Sequence, residues 1–149
     1  MSGTGFSRTT PVSEFHRHSV GLGHVGSYQA SARPFLTSSL TIPVSSSAPF
    51  QVDFESVSRF IVITNTTPGS ATNVPLRFGF SAAGVRGDIT NNYAILNNGE
   101  SFEAEFKVVS VFLLSDSGVN ECSASVIAGL TGIDNSHLAN NWSGSVGIG

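Results

Sequence analysis

One cysteine, one tryptophan and two tyrosines are all that this chain of 149 residues carries of those types, and only 11% of its residues are charged. Each scarcity excludes something. Cys122 alone cannot form an intrachain disulfide, and it gives no sign of an oxidising compartment. It has no identifiable histidine partner, and no serine sits in a Gly-x-Ser-x-Gly elbow, so neither thiol nor hydroxyl chemistry is signalled. Cys122 reads instead as a small packed side chain at the start of a strand. No apolar run approaches the roughly 18 residues of a membrane span. Residues Met1 to Gly5 lack the charged and apolar regions of a secretion signal. The sequons Asn65-Thr66-Thr67 and Asn141-Trp142-Ser143 are therefore read as chance matches, and the expected setting is intracellular or within an assembled particle. A charge content this far below the usual figure of about 25% favours self-association, so much of the surface is expected to be covered by partners.

What the sequence does hold is a period of two. Phe78 and Phe80, then Phe102, Ala104 and Phe106, then Val109, Val111 and Leu113 alternate with other residues, the pattern of half-buried strands. Eight strands are expected. They run from Phe35 to Ile42 (stopped by Pro43), across Phe50, Val52 and Phe54, and from Arg59 to Thr64, which is nearly all apolar and suits burial on both faces. The fourth runs from Pro75 to Ala82, with Arg77 opposite the phenylalanines, and a Gly84/Gly87 loop follows it. Tyr93 to Leu96, Glu100 to Phe106, Val108 to Leu114 and Cys122 to Thr131 complete the set. Eight antiparallel strands in about a hundred residues fit an all-β, single jelly-roll sandwich. An immunoglobulin-like sandwich is the nearest competitor, but the inter-sheet cysteine pair and strand-C tryptophan of antibody domains are missing.

Three zones follow. Residues 1–33 form a Gly/Ser-rich, extended N-terminal arm, 34–133 the jelly roll, and 134–149 a tail with one turn of helix starting at Asp134. The arm carries Arg8, Arg17 and Arg33 against Glu14, a net +2 that leaves −5 for the rest of the chain. Three scattered arginines are too few for phosphate contacts to dominate, so no direct nucleic-acid binding is expected. An arm packing on a neighbouring subunit is the better reading.

Residues that could carry chemistry have plainer readings. Gly21-Leu22-Gly23-His24-Val25-Gly26 spells a dinucleotide fingerprint, but no strand–helix unit surrounds it. His16 and His18, with Glu14 and His24, precede the first strand, whereas a metal site needs a rigid scaffold. Glu103 and Glu105 share the face opposite Phe102 and Phe106. Paired acids can cleave glycosides, but the i, i+2 spacing already describes the wet face of a sheet. Neither a cofactor, a metal nor an enzymatic activity is expected.

The run Leu76-Arg77-Phe78-Gly79-Phe80-Ser81-Ala82-Ala83-Gly84-Val85 is followed by Asn92-Tyr93-Ala94-Ile95-Leu96-Asn97-Asn98-Gly99-Glu100-Ser101. A Lys-Val strand ending Leu113-Leu114-Ser115 comes next, and Ser125-Val126-Ile127-Ala128-Gly129-Leu130-Thr131-Gly132-Ile133 closes the region. Together, over roughly residues 35–133, these segments resemble the single jelly-roll vertex (penton) or minor capsid proteins of large icosahedral double-stranded-DNA viruses. The resemblance implies a non-enzymatic virion component, a homopentamer at five-fold vertices. Its neighbours would be a double jelly-roll major capsid protein and other minor capsid proteins. Subunit contacts are expected at Phe15, Arg17, Tyr28, Arg33, Asn65, Arg86 and Asp116, within the arm and the loops Asn65–Asn73, Gly84–Asn92 and Ser115–Glu121. The alternative is a glycan-binding or attachment sandwich, for which Trp142, Tyr28 and Tyr93 are the aromatic candidates.

Overall fold

In a computed structural model, residues 32–69, 72–88, 90–137 and 146–147 are described. The arm up to residue 31, and with it Phe15, Arg17, Tyr28 and the histidines at 16, 18 and 24, lies outside the described residues, as does Trp142. Among those described there are eight strands: β1 (Arg33–Ile42), β2 (Phe50–Asp53), β3 (Ser56–Asn65), β4 (Leu76–Gly79), β5 (Tyr93–Leu96), β6 (Ser101–Ala104), β7 (Ser110–Ser115) and β8 (Cys122–Asp134). A five-residue helix, α1 (Ala82–Arg86), and a 3-10 turn (Asn135–His137) complete the elements.

The strands form two four-stranded antiparallel sheets, ordered β1-β8-β3-β6 and β2-β7-β4-β5. The interleaved order is that of the expected jelly roll, an all-β sandwich in which the chain crosses between sheets at nearly every connection. Inward residues follow the period of two. Ile61, Ile63, Val126 and Ala128 from the first sheet meet Val52, Leu76, Phe78, Val111 and Leu113 from the second. Phe78 and Phe102 join the layers with ring centroids 4.8 Å apart.

Four expectations are corrected. The fourth strand stops at Gly79, not Ala82, because Ser81 begins α1: its hydroxyl accepts from Gly84 N at 3.1 Å, and its carbonyl accepts from Val85 N. Gly87, at φ +77°, ends that helix in the left-handed conformation, so the presumed glycine loop contains a capped turn of helix. The sixth strand ends at Ala104, since Ser58 then takes over the chain: its hydroxyl donates to Phe106 O at 2.6 Å and its backbone N–H to Val108 O at 3.0 Å. Strand β3 is not covered on both sides. Ile61 and Ile63 face the core, while Phe60, Val62 and Thr64 are only half-buried on the outside.

Antiparallel pairing throughout places the loops 43–49, 66–75, 97–100 and 116–121 at one end of the sandwich. Residues 54–55, 80–92 and 105–109 lie at the other end, where β1 begins and β8 finishes.

Candidate functional site

The loop end is held stiff by amides. Asn65, the last residue of β3, is wholly buried. Its Nδ2 donates to Val74 O and Leu96 O, both at 2.9 Å, and its Oδ1 accepts from Thr67 N at 3.1 Å. Asn98 Nδ2 donates to Pro68 O and Thr72 O, while its Oδ1 accepts from Val74 N at 2.9 Å. Asn73 and Asn97 pair their side chains at 3.0 Å. Loops 66–75 and 97–100 are thereby fastened to each other, without metal or disulfide.

The 116–121 loop is built the same way from serines. Ser115 Oγ donates to Asn120 O at 2.7 Å, and Ser117 Oγ accepts from Val119 N and Asn120 N. Its tip presents Val119, 82% exposed, on a loop with little freedom left to lose. Ser45 N donates to Ser117 O, tying loop 43–49 into the same cluster.

A second surface is the outer face of the first sheet. The register sets Leu36 opposite Ile127, and Ile127 opposite Val62. Leu36 is 71% exposed, Ile127 38% and Val62 half-buried, so a partly open apolar row crosses three strands. One step along, Pro34 and Phe60 flank Gly129, over which the Phe60 ring lies so closely that a Cβ there would come within 2.3 Å of it. Polar Ser123, Ser125, Thr64 and Ser101 occupy the half of this face nearer the loop end, with Thr64 and Ser101 hydroxyls 2.8 Å apart. Strand β1 is an edge, and it carries a bulge between Thr37 and Leu40 with Ser39 at φ +57°. Such an irregularity discourages indiscriminate strand pairing along an exposed edge.

The second sheet has its outer face capped by α1. Val85 is fully buried and sits above Gly79, where a Cβ would meet Val85 Cγ2 at 2.6 Å and Asn92 O at 2.7 Å. Arg77 organises this side. Its Nε donates to Asp116 Oδ1 at 2.7 Å, its Nη1 to Val85 O at 3.1 Å, and its guanidinium lies 4.5 Å from the Tyr93 ring centre. A cation at those carbonyls complements the negative end of the helix.

Of the expected contact residues that are described, the structure does not gather four into one patch. Asn65 and Asp116 stand at the loop end, but Asn65 has no exposed surface and Asp116 is engaged by Arg77. Arg33 lies at the opposite end, loosely paired with Glu55 at 3.4 Å, and Arg86 sits on α1 beside Asp88 at 2.8 Å. Two of the three expected loops share an end; Gly84–Asn92 is at the other and begins inside the helix. Leu36 and Ile127 were not among the expected contacts, and Val119 was covered only through its loop, Ser115–Glu121. Leu36 could have been found, because it is apolar on the strand face opposite Phe35. Its pairing with Ile127 could not.

Cys122 is the first residue of β8 and is buried. Burial pushes its thiol from 9.0 up to about 11, against a smaller opposing contribution from the Ser115 hydroxyl, so it is a poor nucleophile at neutral pH. Glu103 is exposed on the outer face in register with Val62, and Phe102 faces the other way. Among the described residues no group of three or more His, Cys, Asp or Glu could hold a metal, and no helix is long and apolar enough to cross a membrane. No family model matches the chain, and comparison with the curated proteins gives no match.

Proposed function

We propose that this chain is a structural capsid protein, the vertex component that closes the five-fold positions of an icosahedral shell as a homopentamer. The observation that carries this reading is the partly open apolar row Leu36–Ile127–Val62 on one sheet of a charge-poor jelly roll. Isolated exposed apolar residues are ordinary, but a row set in register on a rigid sheet is a surface suited to being covered. Its occupant in this reading is a second copy of the chain. The stiffened loop end and Val119 supply a different patch, and a ring forms when one patch meets the other head-to-tail and the rotation closes.

Ala32, the first described residue, lies against Gly129 and beside the same row. Pro34 and the restriction it places on Arg33 keep the chain extended at that point. In the shell, the arm reaches across an adjacent subunit, and the double jelly-roll major capsid protein and other minor capsid proteins surround the ring. No cofactor, catalytic step or direct nucleic-acid contact enters this role. The virion is its location.

Deleting residues 2–25 tests the role of the arm. The truncated protein is expected to keep its fold, read by circular dichroism and thermal melting, and to lose incorporation into particles. Normal incorporation would overturn the arm's part. A strictly monomeric full chain that binds glycans on an array would replace the capsid reading with the attachment reading.

A further inference from the structure

A sheet edge offers a row of backbone N–H and C=O groups to any passing strand, and proteins blunt it with charge, proline or a bulge. Among the described strands the sandwich has four edges, and three are blunted. Strand β1 contains Pro34 and the bulge at Ser39, β2 follows Pro49 and ends in Asp53, and β6 carries Glu103 on its exposed face. Strand β5, Tyr93-Ala94-Ile95-Leu96, has no charge, no proline and an unbroken register with β4. Helix α1 packs chiefly on β4 and β7, the two inner strands of that sheet.

Beside β5 the sandwich is also open inward. Ala94 is in register with the core residue Phe78 and so belongs to the inward face, yet it is exposed. A cleft of about 690 Å³ lies against it, walled by phenylalanine rings. Phe78 stands 4.8 Å from Phe102, Phe102 5.9 Å from Phe106, and Phe106 is edge-on to Phe80 at 5.7 Å. None of the described lining residues is charged, and Phe106 is 39% exposed. Asn92, just before β5, already receives a peptide group at the rim: its Oδ1 accepts from Gly147 N at 2.8 Å.

We infer that the edge of β5, with the ring-lined cleft beside Ala94, is the docking site for an extended, uncharged peptide strand of a partner protein that bears a large apolar side chain. The edge and the cleft share one register. A strand added to β5 continues the alternation of the sheet, so its residue opposite Ala94 points inward, into the cleft, and the flanking residues lie outside beside Tyr93 and Ile95. Main-chain bonds to the edge supply affinity, and the cleft selects the side chain. A charged guest would give up its water among four phenylalanine rings with no counter-charge, so the guest is apolar. A free apolar molecule would use the cleft alone; that this edge is bare while the other three are blunted favours a strand. The inference uses nothing from the outer row of the first sheet, and it is independent of whether the chain assembles into shells.

The probe is an acetylated, amidated heptapeptide of threonines with leucine at its centre, titrated into the isotope-labelled full chain and read by the NMR shifts of residues 93–96. Half-saturation is expected at about 1 mM or below. Binding is expected to weaken about tenfold when the leucine becomes alanine, and to vanish when it becomes aspartate. N-methylating alternate amides of the peptide is expected to abolish binding in one phase only, the one that removes the donors facing the edge. That result separates strand addition from mere filling of the cleft. Ala94→Leu fills the cleft from the protein's side and is expected to stay folded by circular dichroism and to lose the preference for leucine. The peptide series leaves the protein unchanged, so it decides the matter even where Ala94→Leu does not fold. No saturable shift at residues 93–96, equal binding of the leucine and aspartate peptides, or indifference to N-methylation in both phases overturns the proposal. Shifts there that arise with protein concentration and without peptide also overturn it, because the occupant would then be a second copy.

Discussion

Arg77 and Asp116, 39 residues apart in the chain, close an ion pair of 2.7 Å on the outer face of the second sheet, with side-chain exposures of 15% and 32%. The pair is partly desolvated, and the same guanidinium also holds the carbonyls of Val85 and Arg86 and covers Tyr93. One side chain therefore fastens three separate stretches: strand β4, helix α1 and the 116–121 loop. Arg77→Met keeps most of the apolar stem and removes every one of these polar links. Its expected cost is about 2 kcal/mol, because Asp116 and the end of α1 lose their partner. Urea unfolding measures it, and a change below about 0.5 kcal/mol, the range of an ordinary surface substitution, would contradict the assignment.

Asn65 is the corresponding fastener inside the loop end. Replacing it with alanine leaves Val74 O, Leu96 O and Thr67 N without the partners they have now. At about 1 kcal/mol for each lost bond the expected destabilisation is about 3 kcal/mol. Amide exchange in loops 66–75 and 97–100 is expected to accelerate ahead of exchange in the sheets. Equal acceleration everywhere would mean that Asn65 supports the whole sandwich and not the loops.

Cys122 gives the fold an alkaline limit. Its thiol titrates at 9.0 when unburied and at about 11 in the folded chain, where desolvation is the main cause. Below pH 9 both states keep the proton and the residue adds no pH dependence. Between about pH 9 and pH 11 the unfolded chain loses the proton first, so stability falls as pH rises and levels off above 11. Cys122→Ala is expected to flatten that part of the stability–pH curve, measured by urea unfolding at stepped pH. A curve of unchanged slope would contradict the burial argument. At pH 7 the native thiol is expected to resist alkylating reagents until the protein is unfolded.

The sandwich was legible because alternation survives in single strands: Phe78 against Arg77, Phe102 against Glu103, Val111 against Phe112 all face as the period of two requires. The strand count and the jelly-roll class follow from such runs and the turns between them. Helix α1 was hidden by its brevity. Five residues contain barely more than one turn, so they show no helical period, although Ser81 and Gly87 were available as a start and a stop. Strand β3 misled for another reason. An apolar outer residue such as Val62 reads like a second buried face, when it is the half-buried member of a row whose other residues, Leu36 and Ile127, are exposed.

The candidate surfaces were less legible than the fold. Loops can be recognised from Gly, Pro and Asn content, but which loops share an end depends on strand direction, and which residues meet depends on register. Asn65 looked like a loop residue and is a buried latch. Leu36 and Ile127 are ninety-one residues apart, and only the pairing of β1 with β8 makes them neighbours. Asp116 looked free for a partner subunit until Arg77 was placed beside it.

Native mass spectrometry of the concentrated full chain, alongside Ile127→Asp and Leu36→Asp, tests the central claim most directly. The parent protein is expected to give a five-fold species. Each aspartate variant is expected to shift to monomer while staying folded. Leu36→Asp is expected to keep its unfolding free energy within about 0.5 kcal/mol, since Leu36 is 71% exposed on an edge strand. Ile127→Asp, at a side chain only 38% exposed on a central strand, is expected to cost about 1–2 kcal/mol. A parent that stays monomeric at every concentration, or variants that assemble as the parent does, would contradict the account.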